Sequence, residues 1–335
     1  MSVSRQLLAQ KEHDFRTQLN RSNPALLREF PVTSYVAKLT RTDPYYQYEA
    51  FPPAILRRAA RIRSRYGQNA VAVYQKISLC RLMSEALERN RIGELPETIQ
   101  QLAMSWFNRI VDDFERMPET YYDFDRPLWP LRKDLGVCSG RAISIGGAWI
   151  VETRLIARQR MIGRAGKNMD AESREAQSRW QEALSILLYK LHLGPAIRAT
   201  RRMSLRLQGP LDTCYVIHTI ERNVQDMNAE QMEIAYQNIA SLLRKNEHVW
   251  GVYRSSWFLD PAVSEISPEL GFFSQVPVNY GAELYCAGRC SGDDTQKATM
   301  MSLARTRLYQ EGKYVPKSYF YFWPRASVIQ AFDTR

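Results

Sequence analysis

Residues 254–270 read RSSWFLDPAVSEISPEL and set two hydroxyls, Ser255 and Ser256, shortly ahead of Asp260-Pro261. Upstream, YVIHTIER carries His218. A histidine and an acid at neighbouring strand ends can serve as a general base and its orienting partner, or as two separate proton-transfer groups. Serine hydroxyls beside them can donate to a developing oxyanion. Acyl transfer to an amine asks for little else than this and good positioning. The same residue types have plainer uses. Asp before Pro caps a turn through its own side chain, and a lone His is commonly a satisfied core residue. Neither serine lies in a G-x-S-x-G elbow, which argues against a hydrolase nucleophile.

A second set of residues points to phosphate. Arg57, Arg61 and Arg65 recur every four positions in RRAARIRSR, opposite an apolar face of Ile55, Ala59, Ile62 and Tyr66. Arg198, Arg202 and Arg206 repeat the spacing in RATRRMSLR, and Arg254, Arg305 and Arg325 are further candidates in the C-terminal part. With a net charge of +11 over 335 residues, such stripes suit a polyanion: RNA, DNA, an acidic lipid surface or a phosphorylated cofactor. The alternative is a solvated helix face. No RRM, KH, zinc-finger or helix-turn-helix signature is present, so sequence-specific reading of nucleic acid is not expected. RQRMIGRAGK holds Arg160, Gly163 and Ala165 in the R-x-x-G-x-A spacing with which GNAT acetyltransferases hold the coenzyme A pyrophosphate. Lys167 closes that segment. The segment reads equally as a flexible basic loop, and its glycines stand too close together for a nucleotide P-loop.

Five scattered cysteines suit reduced thiols in a cytoplasmic protein. Cys286 and Cys290 form a C-x-x-x-C pair with no second pair or nearby His, so no metal site is expected. No apolar run reaches the ~18 residues that a membrane span needs, and the polar, mixed-charge N-terminus does not read as a secretory signal.

The elements that must hold these residues divide near residue 130. Before it, periodicity predicts helices over 53–66, 69–90 and 96–117, followed by a loop over ETYYDFDRPLWP. After it, GRAISIGGAWIVETR predicts one or two strands with a bend at Gly146-Gly147. A long helix is expected over 171–192, and strands at 212–219 and 248–254 flank a helix over 228–245. That helix starts at an Asn228/Gln231 capping box and shows Met232, Tyr236, Ile239 and Leu243 on one face. A strand at 282–286 leads into a helix over 295–311 that stops at Gly312. The bulky SYFYFWPR predicts a central or doubly covered strand with Arg325 at the edge of the site. The pattern indicates an α/β (α+β) protein: a helical region, 1–130, packed on a mixed sheet with flanking helices, 131–335.

The C-terminal stretch, from VWGVYRSSWFLDPAVSEISPEL through ARTRLYQEGKYVPKSYFYFWPR, resembles a set of uncharacterised bacterial proteins that are similar in outline to GNAT-like acyltransferases. That resemblance implies acyl transfer to an amine or hydroxylamine, from an acyl-coenzyme A or, in some branches, from aminoacyl-tRNA. No pyrophosphate loop follows the strand at 248–254, and the charge suits RNA. The expected donor is therefore aminoacyl-tRNA, with no cofactor. His218 or Asp260 would act as base and Ser255 or Ser256 as donor. The alternatives are a coenzyme A thioester donor held at Arg160, Gly163 and Lys167, and a non-catalytic basic protein that docks on nucleic acid or a partner. A homodimer is compatible with both.

Overall fold

The computed structural model describes residues 3–41, 51–124, 130–157, 211–220, 225–300 and 302–333. The chain is mixed α/β, with six strands in one mixed sheet of order β1-β2-β3-β4-β6-β5. It divides into two compact units: Met1–Thr153 with Thr219–Val224, and Arg154–His218 with Gln225–Arg335. No helix among the described residues is long and apolar enough to cross a membrane.

The first unit holds α1 (Arg5–Ser22), α2 (Leu26–Glu29), α3 (Val32–Leu39), α4 (Pro53–Glu88), α5 (Glu97–Arg116) and α6 (Pro130–Cys138). The hairpin of β1 (Ile143–Gly146) and β2 (Trp149–Ala157) follows, with β2 running on past Thr153 into the second unit. Pro53 opens α4 at the first helical turn, where its missing N–H costs nothing. The two helices expected over 53–90 are halves of α4, broken at Gly67, whose φ of 86° only glycine adopts without strain. Before the break α4 is one-sided, with Ile55, Ala59 and Ile62 buried and Arg57, Arg61 and Arg65 exposed. After it the helix is buried nearly all round, from Ala70 to Leu79 apart from Lys76. It is the central helix of a bundle, whereas its sequence periodicity indicates a single face. Glycines at φ 99° and 55°, Gly146 and Gly147, make the expected bend between antiparallel β1 and β2.

A buried carboxylate organises this unit. Asp134, 2% exposed, accepts hydrogen bonds from Trp106 Nε1 (3.1 Å), Arg109 Nη2 (2.6 Å) and Tyr121 Oη (2.6 Å). Arg109 also reaches Asp113 at 3.3 Å and lies over the Trp106 ring. The acid is thereby charge-paired and hydrogen-bonded, which is what its burial requires.

The second unit contains β3 (Leu211–Thr219), α7 (Ala229–Lys245), β4 (Gly251–Ser256), α8 (Pro261–Ile266), α9 (Phe272–Asn279) and β5 (Glu283–Arg289). It ends with α10 (Asp293–Met300), α11 (Leu303–Gln310), β6 (Lys317–Pro324) and α12 (Arg325–Ala331). β3 and β4 pair in parallel across the crossover helix α7, and β4, β6 and β5 pair antiparallel. Asn228 caps α7 by accepting from the Gln231 amide at 2.9 Å. The apolar face of α7, Met232, Tyr236, Ile239 and Leu243, is buried, and Tyr236 meets Trp323 edge-on at 5.4 Å. β6 is a central strand with Phe320 to Trp323 buried, as its bulk requires. Two expectations need correction. The helix expected over 295–311 is two helices, because Ser302 ends one run and caps α11 by accepting from the Arg305 amide. The strand expected from residue 248 begins at Gly251, since 246–249 form a turn closed by Val249 N to Asn246 O at 3.1 Å.

Candidate functional site

The strand-end residues separate into two groups. In the parallel ladder Cys214 pairs with Gly251 and Val216 with Tyr253. The period of two therefore puts His218 on the same face as Ser255, each two residues beyond the last registered pair. Ser318 joins them from β6, its Oγ 3.4 Å from Ser255 Oγ. His218 and Ser318 are half-buried and Ser255 is exposed. Behind them on the same face lie aromatic rings: Tyr253 and Phe320 with centroids 6.0 Å apart, and Tyr285 5.5 Å from Phe320. The carboxyl ends of parallel strands are where α/β sheets gather ligands. Ser318 escaped the sequence reading because its relation to Ser255 depends on the β4–β6 register.

Asp260 and Ser256 have other duties. Asp260 is 3% exposed and accepts from the Ala262 amide (3.1 Å) and the Lys317 amide (3.0 Å). It caps α8 and fastens the start of β6. Burial pushes its carboxyl above the usual range, and the two amides pull it back. Ser256 accepts from the Phe258 amide at 3.2 Å and caps the short 3-10 turn Trp257–Leu259. Both side chains, expected to act in catalysis, hold capping positions in the fold.

Three arginines expected at phosphate are also spent within the fold. Arg254 is 2% exposed and lies over the Phe273 ring. Arg305, equally buried, donates to Ala298 O (2.7 Å) and Ser267 Oγ (2.5 Å) and covers the Trp257 ring. Arg325 donates to Leu243 O at 3.1 Å, at the C-terminus of α7. Arg254 and Arg305 are buried, whereas Arg325 is half-buried.

The arginine face of α4 remains open in part. A cleft of about 310 Å³ is lined by Glu29, Phe30, Lys38, Ala54, Arg57, Arg58 and Arg61. Arg58 is committed, donating to Pro31 O and Ser34 Oγ at 3.0 Å each and joining α3 to α4. Arg65 pairs with Glu29 at 2.7 Å. Among the described residues, Lys38, Arg57 and Arg61 take part in no ion pair. Three mutually repelling cations are held there by the packing of α3 on α4, and an anion is the chemistry they fit. Lys38 comes from another helix, so the spacing of the stripe could not reveal it. Arg198, Arg202 and Arg206, and the loop at Arg160, Gly163 and Lys167, lie outside the described residues. Among the described residues no three His, Cys, Asp or Glu side chains gather as metal ligands.

No known family model, curated protein or solved structure matches the chain.

Proposed function

We propose that the protein binds RNA, most specifically tRNA, through Lys38, Arg57 and Arg61, and transfers an aminoacyl group from the charged tRNA to a small amine. The observation that carries the reading is the cleft lined by Lys38, Arg57 and Arg61, which take part in no ion pair among the described residues, in a chain of net charge +11. Phosphates neutralised there release counterions, which drives binding without sequence preference.

The chemistry falls to the strand-end face of the second unit. The amine nitrogen attacks the ester carbonyl; a C–N bond forms and the C–O bond to the terminal ribose breaks. His218 takes the proton from the amine and returns it to the leaving hydroxyl. Ser255 and Ser318 donate to the oxygen that gains charge. A specific observation favours a second reading, an RNA-binding protein without catalysis: Asp260 and Ser256 cap α8 and the Trp257–Leu259 turn through their side chains.

The two are separated by charged tRNA, a panel of small amines and the H218Q variant. The enzyme reading expects wild-type transfer, its loss in H218Q and equal tRNA binding by both. Binding without transfer by the wild type supports the second reading and overturns the first.

A further inference from the structure

Among the described residues, Glu29 is the one acid lining the cationic cleft. Its carboxylate meets Arg65 Nη1 at 2.7 Å. Side chains of the pair are 61% and 40% exposed, for Arg65 and Glu29 respectively. An exposed pair of this kind is worth little and exchanges partners readily. A phosphate carries the same charge sign as the carboxylate, with more acceptor oxygens for a guanidinium. Arg65 lies one helical turn beyond Arg61 on the exposed face of α4. Glu29 thus holds back the third arginine of the row while repelling an anion that enters the cleft.

On the premise that the cleft binds RNA, we propose that Glu29 is a resident counter-ion that a ligand phosphate displaces, adding Arg65 to Lys38, Arg57 and Arg61 as a phosphate ligand. The bound state then has four cations on the polyanion, and the free state keeps one of them neutralised. Glu29 sets a threshold: ligands presenting one phosphate gain little from displacing it, whereas a run of phosphates gains a further contact.

The test measures uncharged tRNA binding across a salt series for wild type, E29Q, R65Q and E88Q. Glu88 pairs with Arg5 on the surface. It stands 21 residues beyond Gly67 (88 − 67) on the same helix, about 32 Å at 1.5 Å per residue. E88Q therefore matches E29Q in net charge at a residue beyond the break in α4, outside the residues that line the cleft. E29Q is expected to bind about fivefold tighter, the scale of one surface ion pair, and E88Q to stay near wild type. R65Q is expected to flatten the log–log slope by about 0.7–0.9. Equal gains in E29Q and E88Q, or an unchanged slope in R65Q, would overturn the displacement while leaving RNA binding in place. Wild-type protein with no salt-dependent binding would remove both.

Discussion

The Lys317 amide donates to Asp260 Oδ2 at 3.0 Å and so ties the turn after β4 to the first residue of β6. The other oxygen holds the Ala262 amide. Replacing Asp260 by Asn keeps an acceptor for one amide and should cost about 1 kcal/mol; Ala leaves both amides without it and should cost about 2–3 kcal/mol. Urea midpoints report both. A D260N protein with the wild-type midpoint but no turnover would return Asp260 to a chemical role.

The same carboxyl gives a pH signature. Its folded-state pKa is raised, chiefly by burial, so the folded protein keeps this proton to higher pH than the unfolded chain does. The associated stability is complete below the unfolded value of about 3.9 and is lost as pH rises through the folded value. The stability difference between wild type and D260N should therefore shrink with rising pH across that window. A difference that grows would contradict the assignment.

Asp134 should be among the most sensitive positions in the first unit. D134A removes the acceptor of Trp106, Arg109 and Tyr121 together and breaks a buried ion pair, at about 3–5 kcal/mol. D134N retains the shape and should cost less. Equal unfolding midpoints for D134A and wild type would show that the network carries no net stability.

Gly67 breaks α4 with φ at 86°, and a Cβ there would meet nothing within 4 Å. Any loss in G67A is then chiefly backbone strain, about 1–3 kcal/mol. A rise in thermal midpoint on G67A would mean that the helix straightens without penalty.

Local signals in the sequence proved readable where one residue type determines one geometry. Asn228 caps α7, Gly146-Gly147 turns the hairpin, and the bulk of SYFYFWPR requires a central strand. The break at Ser302 was not readable, because helical periodicity continues through it and Ser is an ordinary helix residue until its hydroxyl caps. The candidate site was half legible. Arg57 and Arg61 are exposed as the apolar spacing requires, but Lys38 and Glu29 enter through the packing of α2 and α3. Arg254 and Arg305 read as surface cations until their burial against Phe273 and Trp257 is known. Asp260 shows why an acid after a strand is ambiguous: the types that do chemistry there are also the types that cap.

The most direct measurement is tRNA affinity across a salt series for wild type and for K38Q/R57Q/R61Q. Loss of three phosphate contacts should flatten the log–log slope by about 2–3 units. The unfolding midpoint should scarcely move, since Arg57 and Arg61 are exposed, Lys38 half-buried and none is in an ion pair among the described residues. Superimposable salt curves for the two proteins would contradict polyanion binding at this cleft.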